Sequence, residues 1–250
     1  MKLLAIDTSG PVAGCALMID DQVVWNVQMN VGLTHSETIM PAVDQALQAA
    51  RLAPADIDCF VAVAGPGSFT GVRIGVCAVK GLAHAANKPC ARVNALEALA
   101  MNWYGFDGLA CPILDARRGQ VYSAAYDMKD GLPVEVIAPG ARSLADFLAA
   151  LPAERPLAFA GDGVPAYRQA IPDTLEGRKV FMPSHLAQLR ADAACALAAA
   201  RKDEWMPPHR LTPIYLRAPQ AERERAAGRD HTKPLRRQLA EQRQAGEGVQ

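Results

Sequence analysis

Residues 59–75 read Cys-Phe-Val-Ala-Val-Ala-Gly-Pro-Gly-Ser-Phe-Thr-Gly-Val-Arg-Ile-Gly, and this stretch decides the fold. A short apolar run meets a glycine-rich loop and then an apolar pattern with helical spacing. The pattern predicts a strand, a tight loop and a helix that begins near Ser68. Because the first turn of a helix carries unpaired N–H groups, the loop is a candidate for binding a phosphate or carboxylate.

The spacing of this loop fits neither of the two common nucleotide motifs, and no lysine follows Gly71. Two interpretations of Gly65, Gly67 and Ser68 stay open. One is a tight strand-to-helix turn with Ser68 as the N-cap, and the other is contact with an anion. In the predicted helix, Gly71 and Gly75 begin a stripe of small residues, which suits close packing on the chain's own sheet or on a partner.

Length and composition are those of a compact globular protein. The chain has 250 residues, of which 50% are hydrophobic and 21% charged. Its net charge of +0 gives too weak a field for an independent nucleic-acid binder, so we expect a partner to hold most of any RNA. The six cysteines lie singly in apolar or alanine-rich runs, which is typical of buried thiols in a reducing compartment.

Membrane and export signals are not evident in the sequence. Asp7 breaks the first apolar run too early for a signal peptide, and no apolar run reaches about 18 residues. We therefore expect a cytoplasmic protein with no membrane partner.

The order of predicted elements indicates two similar α/β halves. Pro112–Asp115 repeats the pattern of Leu4–Asp7, an apolar run that ends in an acid, and strands and helices alternate after it. The first of these halves is predicted to have strands at 3–6, 12–19, 23–28, 59–64 and 90–93 and helices at 34–51, 68–86 and 95–103. The second is predicted to have strands at 112–115, 120–126, 132–138 and 156–160 and helices at 142–151 and 185–202. We expect domains at 1–104 and 105–218 and a disordered tail at 219–250.

Three polar residues follow the first predicted strand: Asp7, Thr8 and Ser9. An acid and two hydroxyls in a turn can orient a magnesium-bound water and touch a phosphate. The same residue types also satisfy the backbone groups of ordinary turns, so both interpretations stay open.

The start of the helix at 34–51 carries further polar residues. Thr34 and Glu37 resemble a capping box. His35 is either a base that acts with Glu37 or a structural residue, and Arg73 either holds an anion or pairs with Glu37. The sequence does not decide these roles, nor whether the arginines of the tail at 219–250 add RNA affinity or belong to a solvated linker.

Five segments together resemble the TsaB family, the dimerization subunit of the bacterial machinery that makes threonylcarbamoyladenosine at position 37 of tRNAs. They are Leu4-Ala5-Ile6-Asp7-Thr8-Ser9, His35-Ser36-Glu37 with Met40-Pro41, Ala64 to Gly75, Lys80-Gly81-Leu82-Ala83, and Leu114-Asp115-Ala116-Arg117-Arg118-Gly119-Gln120-Val121-Tyr122. The resemblance spans residues 1–217 in order, and the motif at 64–75 is highly specific. It implies an α/β fold of two ribonuclease-H-like, actin-type (ASKHA) domains in tandem.

The resemblance also implies a division of labour with TsaD, the paralogous catalytic subunit. TsaD carries a His-x-x-x-His metal pair, and Ala95 and Leu99 stand at the matching positions of Val93-Asn94-Ala95-Leu96-Glu97-Ala98-Leu99. Neither side chain has a lone pair for a metal. We therefore expect no catalytic residue, metal or cofactor in this chain, and we expect ATP and metal in the partner subunits.

The resemblance thus implies a non-catalytic subunit that pairs with TsaD and works with the ATPase TsaE. The complex modifies adenosine 37 in tRNAs that read codons beginning with A, and this chain meets tRNA indirectly. The helices at 34–51 and 69–86 are expected to form the dimer contact, and a homodimer is expected when TsaD is absent. The candidate interface residues are Ile39, Val43, Leu47, Val72, Gly75, Val76 and Val79.

The sequence leaves two other functions open, a kinase and a peptidase. An autonomous actin-type kinase would bind ATP between the halves through Asp7 and the loop at 65–68, although 114–119 is not the glycine- and hydroxyl-rich turn that such a kinase usually has there. A peptidase that acts on TsaD is the other alternative, but no nucleophile–base pair is visible in the sequence.

Overall fold

The computed structural model describes residues 1–172, 175 and 177–217. The predicted tail at 219–250 lies outside the described residues. Residues 1–216 form one compact unit. Within the described residues, no helix is long and apolar enough to cross a membrane.

A mixed five-stranded sheet forms the first half. Its strands are β1 (Lys2–Asp7), β2 (Ala13–Ile19), β3 (Gln22–Met29), β4 (Cys59–Val63) and β5 (Cys90–Val93). Their order is β3-β2-β1-β4-β5, with β1, β4 and β5 parallel and the first three strands joined as an antiparallel meander. β1 and β4 are apolar along nearly their whole length because both of their faces are buried.

The second half repeats this arrangement. Its strands are β6 (Leu109–Asp115), β7 (Gln120–Lys129), β8 (Leu132–Ser143), β9 (Leu157–Ala160) and β10 (Lys179–Phe181). In the order β8-β7-β6-β9-β10, each strand occupies the place of its counterpart in the first sheet, with the same directions. This is the ribonuclease-H-like topology twice over, so the prediction of two actin-type halves in tandem is confirmed.

Six α-helices connect or cover these sheets within the described residues. They are α1 (His35–Ala50), α2 (Phe69–Ala86), α3 (Ala95–Ala100), α4 (Leu144–Ala150), α5 (Gly163–Tyr167) and α6 (Ala191–Ala200). α1 begins after Thr34, as predicted, but the capping box is wrong, because the Thr34 side chain makes no cap bond. Its hydroxyl instead lies 3.1 Å from the Ser36 hydroxyl.

α3 and α6 cross between the halves. α6 follows the second sheet in the sequence but contacts β1, β2 and β4 of the first, whereas α3 follows the first sheet and contacts β6 and β7 of the second. Buried residues of both sheets therefore share one hydrophobic cluster, which includes Trp103 and Tyr126. The domain boundaries at 1–104 and 105–218 stay a prediction, since this exchange gives each half a helix from the other.

Residues 205–216, here called the C-terminal strap, run back over the first half. Met206 exchanges backbone hydrogen bonds with Cys90, and Leu211 is fully buried. The backbone N–H of Ile214 donates to the Ala64 carbonyl at 2.7 Å. A β-carbon at Gly65 would lie 2.9 Å from the Ile214 carbonyl oxygen, so the strap packs directly against the start of the glycine-rich loop.

Candidate functional site

The turn after β1 is unusually buried for a polar segment. Asp7, Thr8 and Ser9 are each no more than 2% exposed. The backbone N–H and the hydroxyl of Ser9 both donate to one carboxylate oxygen of Asp7, at 2.8 and 2.7 Å. The carboxylate therefore closes its own turn, which is the ordinary structural role of these residue types.

The glycine-rich loop and the first turns of α2 pack directly against the turn after β1. The backbone N–H of Ser68 donates to the Ser9 carbonyl at 2.7 Å, and the Thr8 hydroxyl donates to the Gly71 carbonyl at 2.7 Å. A β-carbon at Gly67 would lie 2.2 Å from the Ser9 carbonyl oxygen, and one at Gly71 would lie 2.1 Å from that of Thr8. The glycines are present because no side chain fits between helix and turn.

The N-terminus of α2 is occupied by groups of the chain itself. Ser68 is the N-cap, as predicted, and its hydroxyl accepts from the Gly71 N–H at 3.3 Å. The Val72 N–H donates to the Ser68 carbonyl. Of the two interpretations of Gly65, Gly67 and Ser68, this geometry favours the tight strand-to-helix turn, and contact with an anion or nucleotide stays a prediction.

A small cavity lies between the two halves, where β1 and β6 end. Its volume of about 20 Å³ has room for about one water molecule, far less than a nucleotide needs. Burial raises the pKa of Asp7 to about 6, and it also raises the pKa of Asp162, on the other side of the cavity. The lining consists of Asp7, Ser9, Gly10, Pro11, Val12, Leu114, Gly161, Asp162, Gln188 and Leu189.

The positions that match the metal pair of TsaD lie inside the core. Ala95 and Leu99 are on α3, are fully buried and belong to the cluster shared by the two sheets. Across the described ranges, no group of three or more histidine, cysteine, aspartate or glutamate side chains is placed to hold a metal ion. These residues therefore pack against apolar neighbours and do not fit a metal centre.

The seven predicted interface residues face the chain's own core. Each is buried, the most exposed at 6%, and the six apolar side chains belong to the cluster beneath α1 and α2. The spacing of apolar residues correctly located an apolar stripe on each helix. That stripe covers the first sheet, so these side chains are not available to a partner in the folded chain. The set is Ile39, Val43, Leu47, Val72, Gly75, Val76 and Val79.

The outer face of α2 carries a second group of small residues. Cys77 and Gly81 are exposed, and Ala78 is half-buried beside them. A β-carbon at Gly81 would meet no atom within 4 Å. Because glycine inside a helix costs about 1 kcal/mol relative to alanine, the chain's own packing does not account for Gly81.

An exposed aromatic cluster adjoins the start of this face. Arg73 donates from Nε to the Tyr215 hydroxyl at 2.8 Å, and its guanidinium lies 3.9 Å from the centre of the Phe69 ring. The Phe69 and Tyr215 rings stack at 5.3 Å. Arg73 therefore ties α2 to the C-terminal strap, an arrangement that the sequence did not indicate because its members are far apart in the chain.

The polar residues at the start of α1 have separate surroundings. His35 donates from Nε2 to the Gly10 carbonyl at 2.8 Å, which joins α1 to the turn after β1. Its Nδ1 is buried and has no hydrogen-bond partner. Glu37 is exposed in the first turn of the helix. This geometry favours the structural interpretation of His35 over that of a base acting with Glu37.

Comparison with known proteins identifies relatives over most of the chain. The family model of TsaD, described as tRNA N6-adenosine threonylcarbamoyltransferase, matches residues 30–225. The tRNA threonylcarbamoyladenosine biosynthesis protein TsaB of Bacillus subtilis is 40% identical over 223 residues, which cover 89% of this chain and 96% of that protein.

The chain is also similar to part of a transferase and to a solved structure. The tRNA N6-adenosine threonylcarbamoyltransferase of Sphingopyxis alaskensis is 43% identical over 81 residues, 32% of this chain and 22% of that protein. The structure of YeaZ from Pseudomonas aeruginosa is 26% identical, covers 86% of this chain and 99% of its own, and superposes with a TM-score of 0.74.

Proposed function

This chain belongs to the TsaB family of tRNA threonylcarbamoyladenosine biosynthesis proteins, within the wider family of TsaD, and we propose that it is a non-catalytic subunit that pairs with TsaD. In this proposal TsaD performs the N6-threonylcarbamoylation of adenosine 37, in tRNAs that read codons beginning with A, and TsaE supplies ATPase activity. ATP and metal are bound by those subunits. This chain meets tRNA as part of the complex.

The observation that carries the non-catalytic role is the replacement of the metal pair. Ala95 and Leu99 are fully buried among apolar residues, so a metal at this place would have neither ligands nor solvent access. The small cavity between the halves supports the same proposal, because its volume of about 20 Å³ does not accommodate ATP. The cavity between the halves therefore does not support the kinase alternative.

The pairing surface that fits the packing is the outer face of α1 and α2. Met40 on α1 is an exposed apolar side chain, at 42%, and Cys77 and Gly81 on α2 leave room for the close approach of another helix. Next to this face lie Arg73 and Tyr215. Arginine and tyrosine are residue types that often dominate the binding energy of protein interfaces. The same surface is proposed to form the homodimer in the absence of TsaD.

A cytoplasmic location is part of the proposal. All six cysteines are free, and burial raises the pKa of five of them above the range in which a thiol ionises readily in cells: Cys15, Cys59, Cys90, Cys111 and Cys195. Unreactive free thiols of this kind suit a reducing compartment.

Substitution of Gly81 by leucine tests the proposal. Gly81 is exposed, and a β-carbon there meets no atom within 4 Å, so we expect Gly81→Leu to fold normally. The variant should fail to copurify with TsaD and fail to support threonylcarbamoyladenosine formation in cells that depend on it. Ala149→Leu, an equivalent enlargement at an exposed position of α4, is the control and should retain both. Normal copurification of Gly81→Leu would reject this surface, and modification without TsaD would reject the non-catalytic role.

A further inference from the structure

The charged residues of α1 and α2 are segregated by sign. α1 carries Glu37 and Asp44 and contains no lysine or arginine. α2 carries Arg73 and Lys80 and contains no aspartate or glutamate. In each helix the two charges are seven residues apart, so they lie on the same side of that helix. Because the buried residues of both helices share one cluster with β1, β2 and β4, the acids and the cations belong to the same side of the molecule.

The acids of α1 face solvent. Glu37 and Asp44 are both exposed, and neither forms an ion pair in the part of the chain that the structure describes. Asp44 accepts a hydrogen bond at 2.6 Å from the amide of Gln48, which is uncharged. Arg51, the first cation after α1, follows Asp44 by seven residues, about 10 Å along the helix. The outer side of α1 is therefore acidic over its first two to three turns.

Three cations beside the C-terminal strap, here called the basic edge, each bind the strap through an uncharged oxygen: Arg73, Lys80 and Arg92. The acceptors are the Tyr215 hydroxyl, the Leu211 carbonyl and the Thr212 hydroxyl, at 2.8, 3.2 and 3.4 Å. The strap itself contains no aspartate or glutamate. Within the described ranges, none of the three cations forms an ion pair with an acid. The basic edge therefore keeps its positive charge.

A two-fold pairing of this surface with itself allows two arrangements of these charges. Two copies that pair about a two-fold axis present the same surface to each other. With α1 over α1 and basic edge over basic edge, each contact opposes like charges, which destabilises an interface. With the acids of each α1 against the basic edge of the other copy, each contact joins opposite charges, and the symmetry makes that contact twice. Charge complementarity therefore favours the second arrangement.

We propose that a second copy of this chain docks on this surface, with Glu37 and Asp44 of each copy against the basic edge of the other. The inference rests on the homodimer of the proposed function and assigns the residues that fix its orientation. The hydrogen bond from Arg73 to Tyr215 uses Nε, which leaves the terminal nitrogens of the guanidinium to bind a carboxylate. Met40, three residues after Glu37 and 42% exposed, adds an apolar contact.

The salt dependence of the wild-type homodimer tests this arrangement without any substitution. Sedimentation equilibrium of the full chain gives the dimer dissociation constant at KCl concentrations from about 50 to about 500 mM. The constant should rise about tenfold over this range, because salt screens the attraction between opposite charges. A constant that falls or does not change with salt would overturn the proposal. A chain that stays monomeric throughout would also overturn it, whereas copurification with TsaD tests the proposed function separately.

Reversal of the charges on α1 tests the assigned residues. Glu37→Lys/Asp44→Lys should weaken self-association about 30-fold or more at the lowest salt concentration, because each α1 then repels the basic edge that it faces. Glu135→Lys/Glu154→Lys changes the net charge equally at exposed acids of the second half and is the matched control. Its dissociation constant should stay within about threefold of the wild-type value. An unchanged constant for Glu37→Lys/Asp44→Lys would overturn the proposal.

A mixture of complementary variants distinguishes a lost contact from a lost fold. Arg73→Glu/Lys80→Glu makes the edge acidic and should also weaken self-association. An equimolar mixture of this variant with Glu37→Lys/Asp44→Lys should form a dimer again. In the mixture, the new lysines face the new glutamates, and the original acids face the original cations. Two variants with wild-type circular dichroism that stay monomeric when mixed would overturn the proposal.

Discussion

The inner and outer faces of α2 both carry small residues, but the surroundings of those residues differ. On the inner face, β-carbons at Gly71 and Gly75 would lie 2.1 and 2.5 Å from oxygen atoms of Thr8. On the outer face, a β-carbon at Gly81 would meet nothing within 4 Å. The chain's own fold requires the inner glycines, whereas it gives no reason for a glycine at Gly81. The difference distinguishes glycines that the fold requires from a glycine on the proposed pairing surface.

Gly71→Ala should have the largest effect on stability. The added methyl would overlap the Thr8 backbone carbonyl, which strand β1 holds in place, so we expect the free energy of unfolding to fall by about 3 kcal/mol. Urea denaturation followed by circular dichroism measures this change. A loss below about 0.5 kcal/mol would show that the inner face is not tightly packed.

Asp7→Asn tests the turn on which the inner glycines pack. Burial raises the folded-state pKa of Asp7 to about 6, above its ordinary value of 3.8. The stability that the protonated Asp7 side chain contributes is therefore complete below about pH 4 and is lost as the pH rises through 6. The variant should be more stable than the original chain at pH 7.5 by about 2 to 3 kcal/mol, and the difference should vanish near pH 4. A difference that does not change with pH would contradict this account.

Gly81→Ala should have the smallest effect, and in the opposite direction to Gly71→Ala. Replacing glycine by alanine at an exposed position within a helix raises the free energy of unfolding by about 0.5 to 1 kcal/mol, and no neighbouring atom opposes the new methyl group. The same urea titration measures this change in the free energy of unfolding. Destabilisation by this substitution would mean that the outer face is packed within the chain, and the comparison of the two faces would fail.

Much of the fold was predictable because local signals and periodicity agreed. The predicted strand at 90–93 matches β5, and the helices at 34–51 and 68–86 match α1 and α2 to within one residue at each end. Short elements with little periodicity, β10 and α5, were missed. The exchange of α3 and α6 between sheets was not predictable, because alanine-rich helices fit either surface and only tertiary packing selects one.

The resemblance selected the two helices of the candidate surface, and the spacing of apolar residues selected its side chains. The surface that binds a partner stays a prediction. Spacing identifies an apolar stripe, and both a core face and an interface are apolar, so Val72 and Val76 were selected although they cover the first sheet. The proposed surface rests instead on the exposed glycine at Gly81 beside Cys77. Its environment becomes visible only once the helix is placed on its sheet.

Protection of Cys77 tests the central claim most directly. Of the six cysteines, five are buried and Cys77 alone is exposed, so a maleimide should modify a single thiol of the folded chain. At a concentration where light scattering shows the chain to be monomeric, saturating TsaD should slow this modification at least tenfold. An unchanged rate at Cys77 under conditions where the complex demonstrably forms would contradict the assignment of pairing to the outer face of α2.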